Sequence, residues 1–353
     1  MTDLFSSIDR EGHEQVVFCR DRASGLRAMV AIHDTTLGPG LGGIRMRAYA
    51  TESEALTDVL RLSQAMTLKA SLAGLEFGGG KAVILGVPSP GDRRALFRSM
   101  GRFVDSLGGR YVPTEDMGTY TADIEQLRET SRYGVGVAEA RGGGGDPSPM
   151  TAWGVFCGMR AAIEAAGLEP GLGGKQVIVQ GIGKVGMALV RLLIDARADV
   201  AVSDVEERRL EEARALGARP MGNAEIHREP CTILSPCAAG ALLNARTIPE
   251  LRCPIVAGGA NNQLATEEDG DRLHARGILY APDFAINAGG LINVADELGP
   301  GGYDRGRALG LTERIEPTLR RIFAESARTG SPPHRIALRL ARERIENRAR
   351  ASG

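Results

Sequence analysis

Two lysines and an aspartate stand where the chain could do acid–base chemistry on a small charged substrate. Lys69 ends the stretch Met66-Thr67-Leu68-Lys69, Lys81 closes Gly78-Gly79-Gly80-Lys81, and Asp116 follows Thr114-Glu115. A lysine withdrawn from water beside a second cation loses basicity and can serve as a general base. Lys81 is the candidate base and Lys69 the candidate second cation. Three successive glycines are costly to order and useful where a ligand must touch bare backbone. A carboxylate substrate would need one fixed positive charge, and a carboxyl such as Asp116 would carry protons to and from an amine. Gly42-Gly43 with Arg45 offers a second loop of close approach. Plainer readings compete: the lysine as a solvated loop charge, Gly42-Gly43 as an ordinary turn.

Farther along, Gly181, Gly183 and Gly186 form a GxGxxG turn. Glycine is abundant here, so context carries the reading. Gln176 to Gln180 reads as an apolar strand, Val185 to Ala196 as a helix and Asp199 to Ser203 as a second strand, a complete βαβ unit. In such a unit Gly181 makes the tight turn, Gly183 admits a pyrophosphate to the backbone, and Gly186 lets helix pack on strand. Unpaired helix amides face the phosphate. Asp204 ends the second strand, placed to accept from a ribose 2′-hydroxyl and to repel a 2′-phosphate. NAD is therefore the expected cofactor, although Arg208 and Arg209 nearby pull the other way.

These residues need a scaffold of two domains, the prior for 353 residues. Gln15 to Cys19 and Leu26 to Ile32 read as a hairpin. A helix over Glu52 to Ala73, a glycine loop over Gly74 to Gly80 and a buried strand over Ala82 to Leu85 follow. Arg93 to Leu107 reads as a helix, and a short strand, Arg110 to Pro113, delivers Thr114-Glu115-Asp116. Alternating helices and strands indicate an α/β layer structure. Gly142 to Gly145, with Pro147 and Pro149, can hold neither helix nor central strand and mark a hinge. Leu311, Ile315, Leu319, Ile322 and Phe323 mark one helix stopped by Gly330, and Pro332 to about Arg348 reads as a basic amphipathic helix. The expected domains are 1–140 for substrate, 141–330 for nucleotide, and 331–353 as a terminal helix packing back on the first.

With 43 basic and 44 acidic side chains the net charge is −1, which gives no pull on nucleic acid or anionic membrane. The five scattered cysteines, never spaced Cys-x-x-Cys, indicate neither disulfides nor zinc. No apolar signal-peptide core or membrane-spanning run is visible, so a soluble cytoplasmic protein without bound metal is expected.

At these residues the chain resembles the glutamate, leucine, phenylalanine and valine dehydrogenase family, and looks most like its leucine/valine branch. The resemblance is carried by His13-Glu14-Gln15-Val16-Val17, Leu37-Gly38-Pro39 with Leu41-Gly42-Gly43, Met66 to Lys69, Gly78 to Ile84, Glu115-Asp116 with Gly118-Thr119, Pro236-Cys237-Ala238, and Tyr280-Ala281-Pro282-Asp283 through Asn287-Ala288-Gly289-Gly290 to Asp296-Glu297-Leu298. It implies an α/β protein with an N-terminal substrate domain of the dimerisation type, a C-terminal NAD-binding Rossmann domain and an active cleft between them. The implied activity is oxidative deamination of an L-amino acid to its 2-oxo acid and ammonium, with hydride passing to NAD, and the reverse.

By position, the resemblance implies that Lys69 holds the substrate carboxylate with backbone near Gly42 and Gly43. Lys81 activates the attacking water and Asp116 shuttles protons to the amino nitrogen. Asn262 lies at substrate and nicotinamide, and Thr151 reaches the nicotinamide amide. Lys184 and Val185 join the glycine turn, and Cys237, Ala238, Ala260 and Asn261 line cofactor loops. The side-chain pocket is Leu41, Thr114, Leu291 and Val294, apolar but for one hydroxyl and without a cation, which leaves out glutamate. Gly40 replaces the branch's usual alanine, Leu291 a valine and Val135 a threonine. An apolar branched-chain substrate is the expectation. The rivals are an aromatic substrate, phenylalanine or tryptophan, and an inactive NAD-binding regulatory protein. A homo-oligomer is implied, with the first strands and the terminal helix as candidate contact surfaces.

Overall fold

A short helix, α1 (Leu4–Glu11), leads into an antiparallel hairpin of β1 (Gln15–Asp21) and β2 (Leu26–Asp34). Then come β3 (Gly40–Arg47), α2 (Glu52–Leu72), β4 (Gly78–Leu85), α3 (Arg93–Ser106), β5 (Tyr111–Glu115) and α4 (Thr121–Arg128). This computed structural model describes residues 4–86, 88, 92–222, 226–238 and 240–352. The five strands order β1-β2-β4-β3-β5, with β3 parallel to both β4 and β5. Thr51 caps α2 by accepting from the Glu54 amide at 3.1 Å, and Glu52 and Glu54 complement the helix dipole.

Strand alternation decides which helix covers which face. Met29, Ala31 and Val83 pack on Ala55, Leu56, Val59 and Leu60 of α2. The intervening Val30, Ile32, Ala82 and Ile84 pack on Leu96, Phe97 and Met100 of α3 and Ile124 and Leu127 of α4. Each of the larger side chains so buried contributes roughly 1.5–3 kcal/mol.

Gly78 to Gly80, expected in a loop, are the first residues of β4. A Cβ on Gly79 would lie 2.1 Å from Thr67 Oγ1 of α2, and one on Gly80 2.5 Å from the Tyr111 ring of β5. Glycine is required there because two layers close onto the strand backbone, not because the chain turns.

The chain continues with α5 (Ser148–Ala165), β6 (Gln176–Gln180), α6 (Lys184–Asp195), β7 (Asp199–Ser203), α7 (Glu207–Ala215), β8 (Arg219–Pro220), β9 (Ile233–Pro236), β10 (Ile255–Val256), α8 (Glu267–Ala275) and β11 (Leu279–Tyr280). These six strands pair in parallel in the order β11-β10-β9-β6-β7-β8. That is the doubly wound Rossmann order, which reverses between β6 and β9. After α9 (Asp283–Ile286) and α10 (Gly289–Asp296), the expected single helix is two, α11 (Arg305–Glu313) and α12 (Ile315–Thr329). Pro317 in the first turn of α12 has no amide to continue the α11 ladder. The last helix is α13 (Pro333–Ser352). Among the described residues no helix is long and apolar enough to cross a membrane.

The chain divides into two compact units, one of Met1–Asp146, Leu291–Ala308 and Ala341–Gly353, the other of Pro147–Gly290 and Leu309–Leu340. Residues 291–308 thus group with the first unit, where contiguous domains would put them in the second. Glu297 accounts for this, its carboxylate accepting from the amides of Gly136 at 3.0 Å and Gly144 at 2.8 Å. The end of α13 also lies on the first unit. Arg344 donates to Leu75 O at 2.8 Å and Glu76 Oε1 at 2.7 Å, and Ser71 Oγ to Ala341 O at 2.7 Å.

Candidate active site

Lys81 stands two residues before Val83, which packs on α2, so the pleat sends both side chains to that face. Its side chain is 7% exposed, and Nζ lies 2.8 Å from Oδ2 of Asp116, the residue that follows β5. The same oxygen accepts from Arg45 Nε of β3 at 3.1 Å. The sequence points to Lys69 as the second cation, but the cation sharing an oxygen with Lys81 is Arg45. Arg45 Nη1 turns to Asp58 Oδ2 of α2 at 3.2 Å, and Asp58 also accepts from Tyr49 Oη at 2.9 Å and Arg61 Nη2 at 3.1 Å.

Burial opposes the charged form of Asp116, but Lys81 and then Arg45 outweigh it and hold the carboxyl well below the usual carboxylate range. The side chain keeps 23% exposure, so a bound molecule can reach it.

Gly42 and Gly43 are what let these groups meet. A Cβ on Gly42 would strike Gly80 O at 2.0 Å and come within 3.1 Å of Met66 Cγ on α2. Lys69 is three residues after Met66, on the same side of that helix. Gly43 pairs with Thr114 across β3 and β5. Leu41, two residues before Gly43 on β3, is fully buried. Leu291 and Val294 are buried one helical turn apart on α10. Thr114 and Val294 come together at Gly136, whose absent Cβ would lie 2.5 Å from Thr114 Oγ1 and 3.7 Å from Val294 Cγ1. Val135 donates its amide to Pro113 O at 2.9 Å, beside Thr114.

On the second unit the glycine turn leaves β6 at the reversal of strand order, where open α/β sheets bind ligands. Gly181, at φ +85°, has no room for a side chain, since a Cβ would lie 2.5 Å from that of Ala238. A Cβ on Gly186 would lie 2.1 Å from Gly181 O. Gly183, the N-cap of α6, has nothing within 4 Å of such an atom. A tight turn with one open position before helix amides fits a dinucleotide pyrophosphate. Lys184 and Val185 open the helix, and Val185 Cγ1 lies 2.9 Å from where Gly259 would carry a Cβ. Cys237 Sγ accepts from the Gly259 amide at 3.4 Å, next to Ala260.

Asp204 is more enclosed than a free ribose acceptor. Its side chain is 5% exposed, and its oxygens accept from the amides of Ile182 at 2.8 Å and Glu206 at 3.0 Å, with Arg209 at 3.5 Å. Burial opposes its charge, but those amides and Arg209 keep its pKa low. Asn262 sits at φ +52° and accepts from the Ala241 amide at 2.7 Å. Asn261 Oδ1 accepts from Asn287 Nδ2 at 2.8 Å. The Thr151 hydroxyl donates to Pro147 O at 3.0 Å and lies 2.6 Å from where Gly290 would carry a Cβ.

Asp58, Tyr49, Arg61 and Asn287 are polar residues of these sites that the sequence left without a role, and Arg45 entered there only beside the Gly42-Gly43 loop. Asp58 carries a signal, being a charge within the apolar stripe of α2, since a carboxylate is rarely buried unpaired.

A first unit holding a Lys–Asp pair over bare strand backbone, and a second holding a glycine turn at a Rossmann switch point, define a two-domain pyridine-nucleotide dehydrogenase. The chain belongs to the glutamate, leucine, phenylalanine and valine dehydrogenase family: residues 13–133 match its dimerisation domain, and residues 142–208 and 205–299 match the Glutamate/Leucine/Phenylalanine/Valine dehydrogenase model. It is an amino acid dehydrogenase. It is 45% identical to a leucine dehydrogenase of Bacillus subtilis over 99% of this chain and 96% of that one. It is 46% identical to a valine dehydrogenase of Streptomyces virginiae over 98% and 96%. The crystal structure of L-tryptophan dehydrogenase from Nostoc punctiforme superposes with a TM-score of 0.86 at 41% identity, covering 98% of this chain and 99% of that one.

Proposed function

We propose that the chain carries out NAD-dependent oxidative deamination of branched-chain L-amino acids of the valine and leucine type, giving the 2-oxo acid and ammonium, and the reverse reductive amination. The observation that carries this reading is the 2.8 Å contact between Lys81 and Asp116 beside the side-chain-free backbone of Gly42 and Gly43. Lys69, with that backbone, fixes the substrate carboxylate. Asp116 takes a proton from the substrate ammonium, freeing the nitrogen lone pair. NAD at the Gly183 turn supplies the acceptor for the α-hydride. Lys81, its own ammonium proton first released to solvent, then takes a proton from the water attacking the resulting iminium carbon. Asp116 returns its proton to the nitrogen and takes the carbinolamine hydroxyl proton as the C–N bond breaks, passing it to the departing ammonia. A 2.8 Å contact lets the pair act as one acid–base unit, a gain on one side matching a loss on the other.

The relatives named leucine and valine dehydrogenase support the short aliphatic choice, as does Gly40. A Cβ there would lie 3.1 Å from the Gly79 carbonyl and the Gly80 amide, so the missing methyl is directed at the β4 backbone. Asp204 supports NAD over NADP, Asn262 completes substrate binding, and Thr151, Asn261 and Ala260 line the nicotinamide side. The match of residues 13–133 to a dimerisation domain supports a homo-oligomer, and five free cysteines support a reducing cytoplasm. The test is turnover of purified protein with NAD and a panel of L-amino acids. NADH formation fastest with valine or leucine is expected. Silence with every amino acid while NAD still binds would overturn the reading in favour of a binding protein.

A further inference from the structure

We propose that Arg45 is a positioning residue for the acid–base pair: its guanidinium, anchored from behind by Asp58, holds the Asp116 carboxylate on Lys81. This rests on the reading of Asp116 as the proton carrier.

Four charges alternate in sign through the first unit. Asp58 on α2 meets Arg45 Nη1 at 3.2 Å, Arg45 Nε on β3 meets Asp116 Oδ2 at 3.1 Å, and that oxygen meets Lys81 Nζ on β4 at 2.8 Å. Arg45 and Asp58 are little exposed, 14% and 10%. Two cations on one carboxylate oxygen repel each other, and the arrangement holds because a second carboxylate stands behind the first cation. Asp58 is itself fixed by Tyr49 and Arg61. Arg45 reaches the two carboxylates with different nitrogens, Nε to Asp116 and Nη1 to Asp58, a planar fork that the single nitrogen of an ammonium does not reproduce. Arginine does not give up its proton in proteins. Its contribution is thus to field and geometry, not to proton transfer.

The other charged or titratable groups on α2, β3 and β5 are Glu52, which pairs with Arg27; Arg47 and Glu54, which pair with each other at 2.5 Å; and Lys69, Tyr111 and Glu115. The Tyr111 phenol, pushed far above its usual range by burial and then by the Asp116 charge, stays neutral. Glu115 Oε2 accepts from Thr121 Oγ1 at 2.9 Å. Without Arg45, Asp116 would keep Lys81 and the Met117 amide in favour of its charged form but would lose its contact with β3.

The experiment compares kcat and kcat/KM against pH for full-length native protein, Arg45→Met, Arg45→Lys and Asp116→Asn, with NADH affinity and thermal unfolding of each. Arg45→Met is expected to move the acid limb of kcat/KM up by about one to two pH units, the scale of losing one opposite charge near an aspartate. NADH affinity should stay native. Arg45→Lys should keep the limb near its native position but lower kcat, because the single nitrogen of an ammonium does not reproduce that fork. A folded Arg45→Met with native limb and native kcat, whatever its unfolding temperature, overturns the proposal. Should Arg45→Met fail to fold, a fully native Arg45→Lys profile overturns it instead. Asp116→Asn separates the two readings: if it is inactive while the Arg45 variants are native, the positioning role alone fails, and if it is active, the role of Asp116 fails and takes the proposal with it.

Discussion

A β-carbon on Gly43 would lie 2.6 Å from the Cβ of Asp116. Asp116 reaches Lys81 across β3, over Gly43, which puts no side chain in the way. The same added atom would lie 2.8 Å from Glu115 O, so neither backbone nor side chain could stay in place. Gly43→Ala should therefore displace Asp116 and lower kcat about a hundredfold, the scale of a misplacement of about 1 Å in a catalytic group. NADH affinity should remain native because the nucleotide turn lies on the other unit. An alanine variant with native kcat would refute the close-approach argument.

Lys81→Ala removes the group read as general base and leaves a small gap beside Asp116. Turnover should drop about a hundredfold or more, with NAD binding retained. Steady-state kinetics, with circular dichroism to establish folding, decide it. Full activity would remove Lys81 from the chemistry.

The nucleotide half was more legible in the sequence than the catalytic half, for a physical reason. A βαβ unit is local: period-2 and period-3.6 patterns with a glycine turn between them set β6 and β7 to the residue and α6 to within one. The Lys81–Asp116–Arg45–Asp58 chain joins four elements through tertiary contacts, and no local pattern orders such contacts. Gly78 to Gly80 misled for the same reason: a glycine run reads as a loop unless one knows that Thr67 and Tyr111 press on it from two sides. Glu297 shows how a contiguous boundary fails, since two amide contacts carry residues 291–308 to the first unit.

His13 predicts an acid-side loss of stability separate from catalysis. Its Nε2 bonds Ser63 Oγ at 2.8 Å and Leu60 O at 3.1 Å, while Nδ1 is buried without a partner, so a second ring proton would have no acceptor. Burial, and then the charge of nearby His33, push its pKa down from 6.5 to about 4. The folded value is the lower one, so between these pH values the unfolded chain binds a proton that the folded chain refuses. Stability is therefore lost as pH falls from 6.5 towards 4, by at most about 3 kcal/mol. Denaturant melts across that window should show the slope in native protein and a flatter one in His13→Gln. Equal slopes would assign the loss to other groups.

Asp204 is expected to set the nucleotide preference while bracing the turn. Its charge repels a 2′-phosphate, and its hold on the Ile182 amide fixes the backbone just after Gly181. kcat/KM with NAD should exceed that with NADP, and Asp204→Ala should narrow the ratio and also lower thermal stability. A native preference for NADP would show that Arg208 or Arg209 governs the site.

Side-chain selectivity is expected to turn on Leu291. It stands on α10 one turn from Val294, which meets Thr114 at Gly136, and if it lines the substrate's side-chain pocket its extra methylene relative to valine should shorten that pocket. One methylene in such a pocket is worth roughly 1 to 3 kcal/mol. Gly40 does not offset this, because its absent Cβ would press on Gly79 and Gly80. The chain should then favour L-valine and L-leucine over L-phenylalanine and L-tryptophan, and Leu291→Val should move the preference towards the longer substrates by about tenfold, near the low end of that energy range. Gly40→Ala should disturb stability more than selectivity, since the added methyl must displace strand backbone. Efficiencies for the four amino acids with native protein and both variants decide it. If an aromatic substrate leads in the native protein, or Leu291→Val leaves the ranking unchanged, the length of the pocket is not set by Leu291.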